Sequence, residues 1–206
     1  MIGYIFGLFQ TGYLLGKKKH FDLREHGSGN SGATNTVRTL GWKAGAVVFF
    51  GDLLKAMLAI FVARLLFADR YPDGVKLLEL YAGFGAVLGH NFPCYLHFKG
   101  GKGMSCTAGL VIAWYPVMTP VYAVIFLLPV LLTRYVSLGS LIVYATFPIV
   151  TYLTMRYGII SVAGGLQAEV IILTVLMAVL AFWQHRANIG RLLSGTENRF
   201  GAKKSD

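Results

Sequence analysis

Residues Ser28 to Arg38 read SGNSGATNTVR, a run of small residues, hydroxyls and side-chain amides that ends in a guanidinium. Glycines let backbone N–H groups close on an anion. Ser28 and Thr34 add hydroxyl donors, Asn30 and Asn35 add amides, and Arg38 supplies a planar fork suited to phosphate. An ordinary flexible loop is the plainer alternative, because Gly, Ser and Asn also make turns. A second stretch, GHNFPCYLHFKGGKG from Gly89 to Gly103, sets His90, Lys99, Gly100, Gly101 and Lys102 before an apolar helix near Met104. Free N–H groups and the positive end of that helix could face an anion, with the lysines as point charges; snorkelling lysines are the alternative. The GxxxxGK[ST] spacing of a nucleotide-binding P-loop is absent, since Gly103 follows Lys102. RYVSLGS, Arg134 to Ser140, places hydroxyls where a helix begins, although a serine there is often only a cap. HRANIGRLLSGTENRF, from His185, puts His185 and Asn188 three residues apart on one helical face; a surface amphipathic helix would look similar. Taken together, the stretches suit a phosphorylated substrate, with something greasy held by the segments between them.

Those segments set the fold class. The chain has 206 residues, 55% hydrophobic and 14% charged, and a mean hydropathy of +0.60. Apolar runs at 1–16, 44–67, 75–92, 104–116, 117–133, 138–155 and 167–184 predict an all-α polytopic membrane protein of seven transmembrane helices, organised as one integral-membrane domain over 1–206. Period-2 alternation, which a barrel needs, is missing. Several runs are short: 16 residues reach about 24 Å against a hydrocarbon core of about 30 Å. Tyr115, Pro116 and Pro120 separate the fourth run from the fifth, as a tight hairpin or as a kink in one long helix.

Charge orients the segments. With seven crossings, Lys17 to Lys19, Arg24, Arg38, Lys43, Lys99, Lys102, Arg134, Arg186, Arg191, Arg199, Lys203 and Lys204 share one face, while Arg70, Lys76 and Arg156 keep the other. The positive-inside rule then puts the N-terminus outside, the C-terminus in the cytoplasm and all four polar stretches on the cytoplasmic face. The lysines follow the first apolar run rather than precede it, which suits an uncleaved helix. A net charge of +10 fits this rule and anionic lipid; no nucleic-acid-binding motif accompanies it. Cys94 and Cys106 form no CxxC and read as packing residues. Asp52 and Lys55, three apart within a span, can neutralise one another as a structural or a functional pair. Glu79 and Glu169 are expected near the outer ends as wet carboxylates.

SGNSGATNTVR, GHNFPCYLHFKGGKG, RYVSLGS and HRANIGRLLSGTE, in this order along the whole chain, resemble the bacterial membrane-integral acyl-phosphate:glycerol-3-phosphate acyltransferase family. The resemblance implies transfer of a fatty acyl group from acyl phosphate to the 1-position of glycerol 3-phosphate, giving lysophosphatidic acid and phosphate, in the bacterial inner membrane and with no metal or other cofactor. It implies that Ser28, Arg38, Lys102 and Ser140 surround phosphate with help from the glycines of the second stretch, and that His185 and Asn188 contact the glycerol. Arg38, Lys102 and His185 become the catalytic candidates. Met104 and Cys106 stand where the family often has Val and Ala.

Two rival classes fit less well. An acyltransferase drawing on acyl-CoA or acyl carrier protein commonly carries HxxxxD. Here the residues five after His20, His26, His90, His97 and His185 are Glu25, Ser31, Tyr95, Lys102 and Gly190. A transporter of small organophosphates would place its site near the membrane midplane on broken, repeat-related helices. This chain shows no repeat and gathers its polar chemistry at one interface.

Overall fold

The structure, a computed structural model, describes residues 1–201, so Lys203 and Lys204 lie outside the described residues. Among the described residues there are α-helices and short 3-10 turns and no strand. The first apolar run is not one helix: α1 (Ile2–Gly7) and α2 (Thr11–Lys18) are separated by a break. Gln10 in that break is 1% exposed, and its amide lies 3.2 Å from the Gly7 carbonyl and 3.1 Å from that of His90. A buried amide must be paired, and interrupting the helix frees the carbonyl that helps to pair it.

The polar stretch that follows is only half loop. Its second part forms α3 (Ala33–Leu40), because the buried Asn35 side chain stitches loop and helix together. Its Oδ1 accepts from Ser28 N at 2.8 Å, and its Nδ2 donates to the Leu23 and Asn30 carbonyls at 3.0 and 2.8 Å. Then come α4 (Trp42–Phe67), α5 (Val75–Asn91), α6 (Met104–Trp114), α7 (Thr119–Thr133), α8 (Val136–Arg156), α9 (Gln167–Gln184) and α10 (Arg186–Leu193). α4 to α9 follow the apolar runs within a few residues, and α10 lies in the polar stretch that begins at His185. Tyr115, with φ −143° and ψ 62°, ends α6 ahead of a 3-10 turn at Pro116–Met118. The break separates their partners: α6 packs on α4 and α5, and α7 on α8.

Among the described residues, four stretches are long and apolar enough to cross a membrane: Trp42–Phe67, Pro116–Thr133, Val136–Arg156 and Gly164–Gln184; α6 is apolar but shorter. On α7, Val124, Leu128, Leu131 and Leu132 point outward, a surface made for lipid rather than water. The interior is close-packed around Trp114, Tyr144, Phe147, Ile60 and Leu110. α1 lies unusually close to α5. A methyl on Gly3 would fall 1.9 Å from the Ala82 carbonyl oxygen, and one on Gly7 2.3 Å from that of Ala86, so the pair meets backbone to backbone as small-residue helix contacts in lipid do.

Two expectations need correcting. Glu79 is not a wet carboxylate: it is 1% exposed, held by Arg64 at 2.5 Å and Lys76 at 3.0 Å. Both cations also donate to the last carbonyls of α6, Arg64 to Ala113 and Lys76 to Trp114, so the carboxylate balances a cationic cap. Cys94 is exposed on a 3-10 turn, whereas Cys106 is buried; only the second is a packing residue.

Candidate active site

A cavity of about 140 Å³ lies where α3, α4, α6, α8 and α10 come together, room for a small molecule rather than for one or two waters. Ser28, Asn30, Thr34, Asn35 and Arg38 line one side, and Lys102, Ser140, His185 and Asn188 another; His90 contributes from the end of α5. Lys99, Gly100 and Gly101 are not among the lining residues. Lys99 is exposed. The N–H groups of Gly100 and Gly101 donate to the Asn91 and His90 carbonyls at 3.1 and 3.0 Å, closing the end of α5 rather than waiting for an anion. Asn30 and Asn35 are also engaged, the former through Gly32 N at 2.9 Å.

Helix starts dominate the walls. Gly32, Ala33 and Thr34 open α3, Gly103, Met104 and Ser105 open α6, Val136 and Ser137 open α8, and Asn188 sits in the first turn of α10; all border the cavity. First-turn N–H groups lack intrahelical acceptors, and each helix brings partial positive charge. Arg38, Lys102 and Arg191 add full charges beside them. Phe49 and Phe126 give the same cavity an apolar flank on α4 and α7.

Lys102 is held by a relay the sequence did not disclose. Its ammonium donates to Asn188 Oδ1, Asn188 Nδ2 donates to Glu197 Oε1 at 2.8 Å, and Arg191 Nε donates to Glu197 Oε2 at 2.9 Å. Burial, then the charge of Arg191, brings the Lys102 ammonium down to about 8. His185, between α9 and α10 and 3% exposed, places Nδ1 2.7 Å from the Ala181 carbonyl. A carbonyl can only accept, so Nδ1 carries the proton and Nε2 keeps a lone pair. Burial, followed by the Lys102 charge, lowers His185 to about 4, so the ring is neutral near pH 7. Ser140 Oγ donates back to the Val136 carbonyl at 3.0 Å, leaving its lone pairs for a donor. Ser137 Oγ, also lining the cavity, has no partner among the described residues.

Asp52, Ser137, Arg191 and Glu197 therefore join a site that motif reading had populated without them. Glu197 had a signal: it is an acidic residue set between Arg191 and Arg199 in a predominantly basic tail. Arg186, by contrast, turns away to donate to the Trp183 carbonyl.

A family model for glycerol-3-phosphate acyltransferase matches residues 1–195. The chain belongs to this family. A glycerol-3-phosphate acyltransferase of Halalkalibacterium halodurans is 41% identical over 202 residues, covering 98% of this chain and 93% of that one. Among solved structures, the chain is similar to PlsY (YgiH), an integral membrane glycerol 3-phosphate acyltransferase, in its glycerol 3-phosphate form, with a TM-score of 0.82 and 35% identity over 97% of this chain and 92% of the other. The lysophosphatidic acid form of the same protein gives 0.80 and 34%, with the same coverage. Similarity at this level over nearly the whole length makes this family member a multi-pass membrane protein.

Proposed function

We propose that this chain transfers a fatty acyl group from acyl phosphate to the 1-hydroxyl of glycerol 3-phosphate, giving 1-acyl-glycerol 3-phosphate and inorganic phosphate, the first acylation of phospholipid synthesis. It works as one integral-membrane domain over 1–206 in the bacterial inner membrane. Seven crossings, with the N-terminus outside and the C-terminus cytoplasmic, turn the cavity to the cytosol, where glycerol 3-phosphate is drawn. The observation that carries this reading is the meeting of Arg38, Lys102, Ser140, His185 and Asn188, from four separate sequence stretches, in one cavity ringed by helix N-termini.

Acyl phosphate is already activated, so binding, orientation and charge stabilisation are what the protein must add. Arg38 and Lys102 take the phosphate charge. Neutral His185 accepts a hydrogen bond from the attacking hydroxyl through Nε2, and Asn188 holds the glycerol beside it. The hydroxyl oxygen bonds to the acyl carbon, the bond from that carbon to the phosphate oxygen breaks, and the hydroxyl proton, held until attack in the hydrogen bond to His185 Nε2, passes to the departing phosphate. The Phe49 and Phe126 flank receives the acyl chain. No metal or cofactor enters any step.

The test gives purified protein glycerol 3-phosphate with either acyl phosphate or acyl-CoA, without added metal. Lysophosphatidic acid is expected from acyl phosphate alone. Robust product from acyl-CoA would remove the donor assignment.

A further inference from the structure

Lys55 and Asp52 face each other on α4, Nζ to Oδ1 2.9 Å, with side chains 4% and 1% exposed. The ammonium does not stop at the carboxylate. It donates to the Phe9 carbonyl at 2.6 Å, in the break between α1 and α2, and lies 2.9 Å from His90 Nδ1 near the end of α5. An ammonium has three protons, and Asp52, Phe9 and His90 offer an acceptor each. His90 Nδ1 is thus the accepting nitrogen and the ring proton lies on Nε2. That opposite edge of the ring meets the second polar loop: a methyl on Gly101 would stand 2.0 Å from Nε2, and Gly101 N donates to the His90 carbonyl at 3.0 Å. The next residue is Lys102, whose ammonium reaches Asn188 in the cavity.

A buried ammonium needs an acceptor for each of its three protons whatever its role; what sets this one apart is where those acceptors lie. Buried ion pairs contribute little net stability compared with apolar replacements, whereas this one joins three chain segments at the floor of the cavity, where Asp52 and His90 are lining residues. We propose that Lys55 is a positioning residue for the reaction: by fixing the His90 ring it fixes Gly101, and so sets Lys102 where its charge meets the substrate phosphate. The inference rests on the reading of the cavity as the glycerol 3-phosphate site. Gly101 has no side chain because the ring, held from behind by Lys55, occupies that space.

The test uses purified full-length protein in detergent. Asp52→Asn/Lys55→Met removes both charges together, so that no buried carboxylate is left unpaired, and methionine preserves the apolar stem. Gly101→Ala pushes the same ring from the other side and changes no charge. Melting temperature reports folding, titration calorimetry reports glycerol 3-phosphate binding, and phosphate release from acyl phosphate reports turnover. Each variant is expected to raise the Kd for glycerol 3-phosphate about 10-fold or more, since removing a charge-assisted hydrogen bond entirely weakens binding roughly 10- to 150-fold. The three changes combined should cost no more than the larger of the two effects, because both act through one ring. A Kd within about twofold of wild type in folded Asp52→Asn/Lys55→Met, or losses that multiply in the combination, overturns the proposal. Should that variant not fold, Gly101→Ala decides: a weakened Kd in folded protein supports the role and an unchanged one overturns it. Turnover by the wild type tests the activity reading separately; the binding arms judge Lys55 whatever that turnover is.

Discussion

Raising the pH from 7 to 9 should cost the protein most of its kcat/KM for glycerol 3-phosphate, because Lys102 loses its proton across that range. Burial and the neighbouring Arg191 guanidinium bring its ammonium to about 8. A group titrating there is about 90% charged at pH 7 and about 10% charged at pH 9. If only the charged form captures the substrate phosphate, kcat/KM falls about tenfold between the two. The substrate does not produce this limb: with a second pKa near 6, a phosphate monoester is already about 90% dianionic at pH 7 and only gains charge above that. Bound phosphate favours the charged lysine, so kcat at saturating substrate should change far less; the loss belongs to the free protein. Lys102→Arg supplies the control: a guanidinium stays charged throughout, so the limb should vanish even if the plateau is lower. The assay is phosphate release at varied glycerol 3-phosphate from pH 6.5 to 9.5 at constant ionic strength. A kcat/KM that stays flat across this range, or a limb that survives in Lys102→Arg, would refute the assignment of the charge to Lys102.

Arg38→Lys should lower kcat/KM roughly 10- to 150-fold despite keeping its charge, because an ammonium cannot reproduce the guanidinium fork. The melting temperature should hold, since α3 keeps a cation in its last turn; near-wild-type kinetics would defeat the fork. His185, lowered to about 4 by burial and then by Lys102, is neutral in the folded protein at pH values where the unfolded chain binds a proton. Stability should therefore climb by about 3 kcal/mol as pH rises from about 4 to about 6.5 and gain nothing further from this group above that. Melts of His185→Gln should lose that part of the slope, and an equal slope in both proteins would assign it elsewhere. Reporters fused before Met1 and after Asp206 should read external and cytoplasmic; both on one side would break the seven-crossing topology.

Hydropathy reached the helices well because an apolar run in lipid has few alternatives to a helix. Prolines and Tyr115 marked the break after α6, and α9 begins and ends where its apolar run does. It failed at the first run, where the break depends on Gln10 meeting carbonyls of α5, a contact remote in sequence. The site divides along the same line. Arg38, Lys102, Ser140, His185 and Asn188 were legible because each lies in a stretch too polar for its surroundings. Asp52 was visible only as half of a possible pair; that it borders the cavity while Lys55 reaches Phe9 and His90 is a tertiary fact. Gly100 and Gly101 show the opposite error. Glycine-rich chain beside lysines suits an anion, yet these N–H groups cap α5, and at Gly101 the missing side chain leaves space for a ring.

The most direct test is a structure of this protein with glycerol 3-phosphate bound. The phosphate is expected between Arg38 and Lys102, against the starts of α3 and α6, with the glycerol hydroxyls toward His185 Nε2 and Asn188. Phosphate held outside this cavity, for instance by the exposed cations at Lys17 to Lys19, with the Arg38–Lys102 space occupied only by solvent, would contradict the reading of the site.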